Sequence, residues 1–173
     1  MSDPKTLIDA ATIARRIDAL AEELSRSLPP DFVMVCILNG VFMFAADLVR
    51  ALARRGIHPT MEFINLKSYG DGTESSGQVR VLGTLPEQLN GRAVLLVDDI
   101  LDTGRTLHFA RALVTGLGAA PVRVCVFLDK PSRRVVVMTA DHVGFQIEDR
   151  FVVGYGLDHA KQWRGLPDLA TID

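Results

Sequence analysis

Hydrophobic and polar positions along the chain fall into blocks that switch between helical and strand-like spacing. Apolar residues recur at helical spacing over 13–24, directly after Asp9, a residue type that caps helix N-termini. Continuous apolar runs of strand length follow at 32–38 and 60–66, and a second helix is predicted between them over 41–55. Such alternation is typical of a parallel sheet with helices packed on its faces.

The second half of the chain continues this alternation. It predicts strands at 79–82, 93–97, 122–128, 143–147 and 151–153, and a helix that begins near Thr106. The elements together predict one α/β domain over residues 1–173, a mainly parallel twisted sheet flanked by helices. In such a fold, ligands bind at the carboxyl ends of the strands.

One internal segment interrupts the pattern. Residues 67–78, which include Ser68 and Tyr69, are polar and rich in glycine and serine, and they cannot contribute to an apolar core. The composition predicts a mobile loop.

Composition narrows the class of protein. The chain has 173 residues, of which 48% are hydrophobic and 23% charged, as in an ordinary globular domain. No apolar run approaches the roughly 20 residues of a membrane span, and residues 1–5 lack the apolar core of a signal peptide. We therefore expect a cytoplasmic protein without a membrane partner. The net charge of -2 argues against a general nucleic-acid-binding surface.

The cysteines and histidines do not form a metal-binding motif. Cys36 and Cys125 lie in separate apolar runs, which predicts buried free thiols. The four histidines are scattered without the spacing of a zinc site.

Candidate chemistry concentrates after the apolar run 93–97. Asp98 and Asp99 follow it directly, and Asp102 opens a loop that leads into the helix at Thr106. Two carboxylates beside an anion site would repel a phosphate unless they bind hydroxyl groups or a metal ion of the ligand. A ribose 5-phosphate with a divalent ion meets both conditions.

The loop itself has the features of a phosphate site. Gly104 lets the main chain approach an anion closely, and the hydroxyls of Thr103 and Thr106 add donors at a helix N-terminus. The alternative is an ordinary strand-to-helix turn with Asp102 as a cap.

This segment resembles the phosphoribosylpyrophosphate-binding signature of the type I phosphoribosyltransferases. The shared features are an apolar strand, two acids, two apolar residues and then Asp-Thr-Gly-basic-Thr. The resemblance implies that the phosphoribosyl group is bound by Asp98, Asp99, Thr103, Gly104, Arg105 and Thr106.

Four further segments resemble one branch, the hypoxanthine-guanine phosphoribosyltransferases, and with the signature they cover nearly the whole chain. Leu38, Asn39 and Gly40 resemble the pyrophosphate-binding loop, with Asn39 in place of the usual Lys or Arg. The segment with Ser68 and Tyr69 is similar to the lid over the reacting centre. Without the resemblance, the first would fit a tight turn and the second a surface insertion.

The other two segments resemble the family's purine and metal sites. The resemblance implies that Lys130 donates to the 6-oxo group of a purine, that Phe151 stacks on the base and that Val152 offers it main-chain hydrogen bonds. Asp158 resembles a direct magnesium ligand near the purine, and Arg164 resembles a pyrophosphate contact. Taken alone, each residue would fit an ordinary structural role.

The resemblance also implies a fold and an activity. The fold would be that of type I phosphoribosyltransferases, with a small hood formed by the chain termini and the C-terminal segment. The activity would be a magnesium-dependent purine salvage reaction, in which phosphoribosylpyrophosphate and hypoxanthine or guanine give IMP or GMP and pyrophosphate. Asp102 would exchange a proton with the purine's imidazole ring, and Asp98 and Asp99 would hold the ribose hydroxyls directly or through Mg²⁺-bound water. A homodimer or homotetramer is expected.

Two alternatives stay open at this point. A xanthine-preferring or pyrimidine-using transferase would share the signature, although the Lys130 and Phe151 segments match the purine branch better. A regulator built on the same fold would use phosphoribosylpyrophosphate only as an effector, but it would need a DNA- or RNA-binding surface that this chain's charge does not favour. The preference between hypoxanthine and guanine, and between dimer and tetramer, is left open.

Overall fold

The computed structural model describes residues 3–68, 79–87 and 89–172, and these residues form three α-helices and nine strands. The helices are α1 (Ala10–Ser27), α2 (Phe42–Ala53) and α3 (Arg105–Gly116). The strands are β1 (Lys5–Ile8), β2 (Val33–Leu38), β3 (Thr60–Ser68), β4 (Val79–Leu82), β5 (Val94–Leu101), β6 (Val122–Asp129), β7 (His142–Gln146), β8 (Val152–Val153) and β9 (Leu169–Thr171). A single 3₁₀ turn over Pro131–Arg133 follows β6. Within the described ranges, none of the helices combines the length and apolar character needed to cross a bilayer.

The main sheet has six strands in the order β4-β3-β2-β5-β6-β7. β4 runs antiparallel to β3, and the other neighbours are parallel. From β2 the chain continues to β3 on one side, and it later returns to place β5 on the other side of β2. The loops that follow β2 and β5 therefore diverge, which creates a crevice at the carboxyl ends of these two strands.

Alternate residues of the central strands pack on the two faces of this sheet. In β2, Met34 and Cys36 join the apolar cluster with α1 and α2, whereas Val33 and Val35 join the cluster with α3. Burial on both faces explains why these strands appear in the sequence as unbroken apolar runs. Cys36 and Cys125 are buried free thiols, as predicted, and burial raises the pKa of Cys36 to about 12.

A second, three-stranded antiparallel sheet joins the two ends of the chain in the order β1-β9-β8. It is the hood implied by the family resemblance, and the predicted fold class is confirmed. β1 and β9 were not predicted as strands, because each is very short and pairs with residues at the opposite end of the chain. Asp168 ties the hood to α1 by accepting a hydrogen bond from the amide of Ala10 at 2.8 Å.

Several predicted boundaries were close to the observed ones. Asp9 caps α1, where its carboxylate accepts a hydrogen bond from the amide of Thr12 at 2.8 Å, as predicted. α2 ends at Ala53 rather than at residue 55, and Phe151 precedes β8 rather than beginning it.

Two strand ends were predicted wrongly. β5 continues to Leu101 rather than ending at residue 97, because its ladder with β6 continues from Asp98 opposite Val126 to Leu101 opposite Asp129. Asp98 and Asp99 therefore lie within the strand. β3 likewise continues to Ser68, which pairs with β4, so the first two residues of the predicted loop are strand.

Candidate active site

A cavity of about 370 Å³ lies in the crevice between the loops that follow β2 and β5. Its lining combines the two chemistry-bearing segments predicted from the sequence with Leu66 of β3 and Leu107 of α3. From the β2 side it is lined by Ile37, Leu38, Asn39 and Gly40, and from the β5 side by Asp98, Asp99, Ile100, Leu101, Asp102, Thr103, Gly104 and Thr106. The structure thus brings the predicted phosphoribosyl and pyrophosphate segments to one place.

Asp98 and Asp99 contribute two adjacent carboxylates from the end of β5. The Asp98 carboxylate accepts a hydrogen bond from the amide of Asp99 at 2.9 Å. Burial raises the pKa of Asp98 well above its usual value, and the neighbouring Asp99 charge raises it further. Burial also raises the pKa of Asp99, although a hydrogen bond from Asp98 and the charge of Arg164 partly oppose this. Such a pair favours a ligand that brings positive charge or hydroxyl donors.

The loop at residues 102–106 leads from β5 into α3. Gly104 is the N-cap residue and has a φ of 87°, a left-handed conformation that glycine adopts without strain. The Thr103 hydroxyl accepts a hydrogen bond from the Arg105 amide at 3.4 Å, and Arg105 is the first residue of the helix. The first amides of a helix lack partners within it and carry the positive end of its dipole. This wall of the cavity can therefore bind a phosphate.

Gly40, in the loop after β2, is enclosed on two sides. A Cβ atom on Gly40 would lie 1.6 Å from an Asp99 carboxylate oxygen, and a Cβ atom on Gly156 would lie 2.1 Å from the Gly40 carbonyl oxygen. Glycine at both positions allows the loop to sit between Asp99 and the segment after β8. The Leu38–Asn39 peptide bond is cis, and the Asn39 side chain is exposed beside the cavity.

Arg164 and Asp158 meet beside this loop. The Arg164 guanidinium donates to the Gly156 carbonyl at 2.6 Å and forms an ion pair with Asp158 at 2.7 Å. The other Asp158 oxygen accepts a hydrogen bond from the Lys161 amide at 2.7 Å. The predicted pyrophosphate contact and the predicted metal ligand are therefore paired with each other in this structure.

The residues predicted to bind the purine lie together outside this cavity. Lys130, with only 9% of its side chain exposed, donates from Nζ to the Arg150 carbonyl at 2.6 Å. Arg150 directly precedes Phe151 in the chain. Phe151 is 54% exposed, and its ring is nearly perpendicular to that of His159, with ring centroids 5.2 Å apart. It is therefore not packed in the core. Val152 lies in β8, an edge strand of the hood.

Two arginines that were not predicted from the sequence surround Asp102. The Arg133 Nε atom donates to the Asp102 carboxylate at 3.2 Å. Arg134 binds the main-chain carbonyls of Leu101, at 2.9 Å, and of Asp102, and it forms an ion pair with Asp129. Two adjacent arginines shortly after Lys130 could have been noted in the sequence as candidate partners for a carboxylate. Their position beside the end of β5 depends on the 3₁₀ turn, which the sequence pattern did not predict.

The predicted lid falls mostly beyond the described residues. Ser68 is the last residue of β3, and Tyr69 and residues 70–78 lie outside the described ranges. Its role as a lid stays a prediction.

Known proteins resemble this chain over nearly its whole length. Residues 5–160 match the phosphoribosyl transferase domain family. The chain is 42% identical over 171 residues to the hypoxanthine-guanine phosphoribosyltransferase of Aquifex aeolicus, which covers 98% of this chain and 94% of that protein. The chain belongs to the hypoxanthine-guanine phosphoribosyltransferase family.

Other members of the family support this assignment. The hypoxanthine phosphoribosyltransferase of Escherichia coli is 36% identical, over 97% of this chain and 94% of that protein. The crystal structure of a hypoxanthine-guanine phosphoribosyltransferase from Bacillus anthracis is 38% identical and superimposes with a TM-score of 0.91, covering 100% of this chain and 99% of that chain. The family resemblance and the fold class predicted from the sequence are thus confirmed, and the chain is a phosphoribosyltransferase.

Proposed function

We propose that this phosphoribosyltransferase transfers the 5-phosphoribosyl group from phosphoribosylpyrophosphate to hypoxanthine or guanine, forming IMP or GMP and pyrophosphate. One observation carries the proposal: a single cavity joins two adjacent carboxylates, a helix N-terminus and the glycine loop after β2. Phosphoribosylpyrophosphate presents the matching groups, which are ribose hydroxyls, a 5-phosphate and a pyrophosphate. The family relatives, which are named for hypoxanthine and guanine, support a 6-oxopurine acceptor.

Each part of phosphoribosylpyrophosphate has a proposed partner in the cavity or beside it. The 5-phosphate binds the main-chain amides of residues 103–106, which include Arg105, and the hydroxyls of Thr103 and Thr106. Asp98 and Asp99 hold the ribose hydroxyls. The pyrophosphate binds the main chain of residues 38–40, the Asn39 side chain and Arg164.

Mg²⁺ is the proposed cofactor, and the donor set fits it. Two adjacent carboxylates with raised pKa values suit a divalent cation that would offset their repulsion. The described residues contain no cluster of three or more metal-binding side chains, so the remaining ligands would be substrate oxygens and water, as Mg²⁺ prefers. Asp158 would bind the ion directly, and Asp98 and Asp99 through water or the ribose. When bound, Mg²⁺ would neutralise charge on the departing pyrophosphate.

The purine is proposed to bind between the hood and the end of β5. Lys130 donates to the 6-oxo group, Phe151 stacks on the ring and Val152 contributes main-chain hydrogen bonds. Lys130 is a donor without acceptor capacity, so it matches an oxo group and not the amino group of adenine.

In the reaction, the bond between ribose C1′ and the pyrophosphate oxygen breaks, and one imidazole nitrogen of the purine bonds to C1′. The loop amides stabilise the pyrophosphate as it leaves. The proton on the other imidazole nitrogen passes to the Asp102 carboxylate, which returns it in the reverse reaction. The lid at residues 67–78, with Ser68 and Tyr69, would exclude water from the cationic ribose.

We also propose a homodimer or homotetramer, which sedimentation equilibrium would distinguish from a monomer. The cytoplasmic location expected from the sequence stays a prediction.

An activity panel tests the proposed function. Wild-type enzyme is assayed with phosphoribosylpyrophosphate, Mg²⁺ and each of hypoxanthine, guanine, xanthine and adenine. We expect transfer to hypoxanthine, guanine or both, and discrimination against adenine that reaches about 10⁴, because a site built around a hydrogen bond rejects the mismatched base. Efficient use of adenine would contradict the 6-oxopurine assignment.

The Lys130→Ala variant extends the panel to the residue that selects the base. We expect its kcat/KM for hypoxanthine and guanine to fall by roughly 10- to 100-fold, since an unpaired buried polar group costs about 1–3 kcal/mol. The KM for phosphoribosylpyrophosphate should change little. If Lys130→Ala keeps wild-type kcat/KM, recognition of the oxo group lies with another residue.

A further inference from the structure

Asp102 is held from two directions by the arginine pair that follows Lys130. The 3₁₀ turn at Pro131–Arg133 folds the chain back toward β5, with the Arg133 amide donating to the Lys130 carbonyl at 3.1 Å. The Lys130 amide in turn donates to the Leu101 carbonyl at 3.0 Å, which fixes the turn against the residue before Asp102.

The two arginines bind different parts of Asp102. Arg134, with 18% of its side chain exposed, binds main-chain carbonyls and the Asp129 carboxylate, so it supports the loop itself. Arg133, with 49% of its side chain exposed, binds the Asp102 carboxylate through Oδ1. Within the described part of the chain, no hydrogen bond or ion pair reaches the second oxygen, Oδ2, which can therefore face a ligand in the cavity that Asp102 lines.

A second carboxylate lies on the other side of Arg133. The Arg133 Nη1 atom is 3.7 Å from one Asp149 oxygen, and the other Asp149 oxygen is 4.0 Å from Lys130 Nζ. Charges therefore alternate in an unbroken line from Asp102 through Arg133 and Asp149 to Lys130. This line connects the proposed proton acceptor with the proposed base-selecting residue.

We propose that Arg133 is a positioning residue for the acid–base step: it orients the Asp102 carboxylate toward the purine, and Asp149 keeps Arg133 in place. The inference rests on the proposed function and extends it to two residues that are not among those lining the cavity. The hydrogen bond from Arg133 Nε fixes one Asp102 oxygen, and the negative charge of Asp149 on the other side of the guanidinium favours that placement.

An effect on catalysis is separable from an effect on folding. Ion pairs between exposed side chains contribute little to stability, so loss of Arg133 should leave the melting temperature nearly unchanged. A misdirected acid–base group, in contrast, reduces turnover strongly. Arg123 provides a matched control, because it forms a 2.8 Å ion pair with Asp141 and its side chain is 48% exposed, away from the cavity.

The first experiment compares Arg133→Gln, Arg133→Lys and Arg123→Gln in the holoenzyme with Mg²⁺. For Arg133→Gln we expect kcat to fall by about 10- to 100-fold, with the KM for phosphoribosylpyrophosphate and the melting temperature unchanged. Arg133→Lys should recover part of the loss, and Arg123→Gln should match wild type in kcat and KM. Wild-type kcat in Arg133→Gln, or a loss that appears only as a higher KM or a lower melting temperature, would overturn the inference.

The second experiment places Arg133→Gln in the Asp102→Asn background. If Arg133 acts through the Asp102 carboxylate, the added substitution should change kcat by less than about twofold, because residues that act as a unit are not additive. An equal loss in both backgrounds would overturn the inference. Absence of any transfer by wild type would overturn the proposed function as well, whereas an active wild type with an unaffected Arg133→Gln variant would overturn this inference alone.

Discussion

At the scale of single residues, the candidate site depends on carboxylates placed in different surroundings. Asp98 is buried and Asp99 half-buried at the end of β5, where burial raises the pKa of both, whereas Asp102 lies on the loop and is paired with Arg133. The adjacent pair suits binding of hydroxyls or a cation, and Asp102, on the loop, suits proton exchange with a ligand. Two variants test this division of roles.

Asp102→Asn removes the proton acceptor but nearly preserves the size and hydrogen bonding of the side chain. We expect kcat to fall by about 10² or more, since general acid–base catalysis contributes roughly 10²- to 10⁴-fold. Binding of phosphoribosylpyrophosphate, measured by calorimetry, should be retained. Near-normal turnover with every purine would contradict the assignment of Asp102 as the acid–base residue.

Asp98→Asn should stabilise the ligand-free protein in a pH-dependent way. The folded-state pKa of Asp98 is raised, so the contribution of Asp98 to stability is fully present below the ordinary pKa of an aspartate and is lost as pH rises through the folded-state pKa. The melting temperature of Asp98→Asn should therefore exceed that of wild type at pH 8 and be close to it at pH 4. Each kcal/mol of stability gained should raise the melting temperature by roughly 2–4 °C. Thermal unfolding without Mg²⁺ or substrate measures this difference.

Asp141→Asn is the matched control, for which we expect the opposite change in melting temperature. Burial tends to raise the pKa of Asp141, but hydrogen bonds from Arg123 and the Val124 amide lower it overall. Its contribution to stability is thus present at neutral pH and lost in acid, so this variant should melt below wild type at pH 8. A lower melting temperature of Asp98→Asn at pH 8 would contradict the account of Asp98.

At the scale of secondary-structure elements, the cavity depends on how the segment after β8 packs on the loop after β2. Gly156 has a φ of 98° and directly faces the Gly40 carbonyl. A side chain at residue 156 would push the loop toward Asp99, where Gly40 also has no room. The proposed pyrophosphate site is therefore a product of two glycines on different elements.

Gly156→Ala should weaken pyrophosphate binding. We expect its Kd for pyrophosphate to rise by about tenfold or more, which corresponds to a loss of roughly 1.4 kcal/mol. Gly91→Ala is the control, because Gly91 has a φ of 73° but nothing within 4 Å of an added Cβ atom. Both variants acquire backbone strain of about 1–3 kcal/mol, but only Gly156→Ala should lose pyrophosphate affinity. Equal affinities in the two variants would contradict the steric argument.

At the scale of the whole molecule, the buried Tyr155, which follows β8, joins the hood to the main sheet and its helices. Tyr155 packs against Phe127 of β6 with ring centroids 4.8 Å apart, and its hydroxyl donates to the Asp47 carboxylate of α2 at 2.5 Å. Burial raises the pKa of Tyr155, and the hydrogen bond with Asp47 raises it further. The hydroxyl is therefore a neutral donor at neutral pH.

Tyr155→Phe keeps the ring and removes only this hydrogen bond. We expect the free energy of unfolding to fall by about 1.5–3 kcal/mol, the usual contribution of a hydrogen bond to a charged group. Denaturant unfolding measures the change, and kcat should remain within about twofold of wild type because the hydroxyl is directed at α2 rather than at the substrate. An unchanged free energy of unfolding would show that the contact does not join the hood to the sheet.

The sequence by itself determined the features that depend on nearby residues. Apolar periodicity predicted the layered α/β fold, Asp9 predicted the start of α1, and the Asp-Thr-Gly-Arg-Thr segment predicted the loop before α3. These features follow from capping, helical spacing and glycine conformation within a few positions, so they can be inferred from a short stretch of chain. The same stretches carried the family resemblance.

Only the tertiary structure decided the contacts between distant segments. The placement of Asp98 within β5 depends on its ladder with β6, and the pairing of β1 with β9 joins the two ends of the chain. The fit of Gly40 between Asp99 and Gly156, and the return of Arg133 to Asp102, likewise depend on how separate elements pack. Local propensity carries no information about such contacts, because strand register and the close packing of side chains determine which distant residues meet.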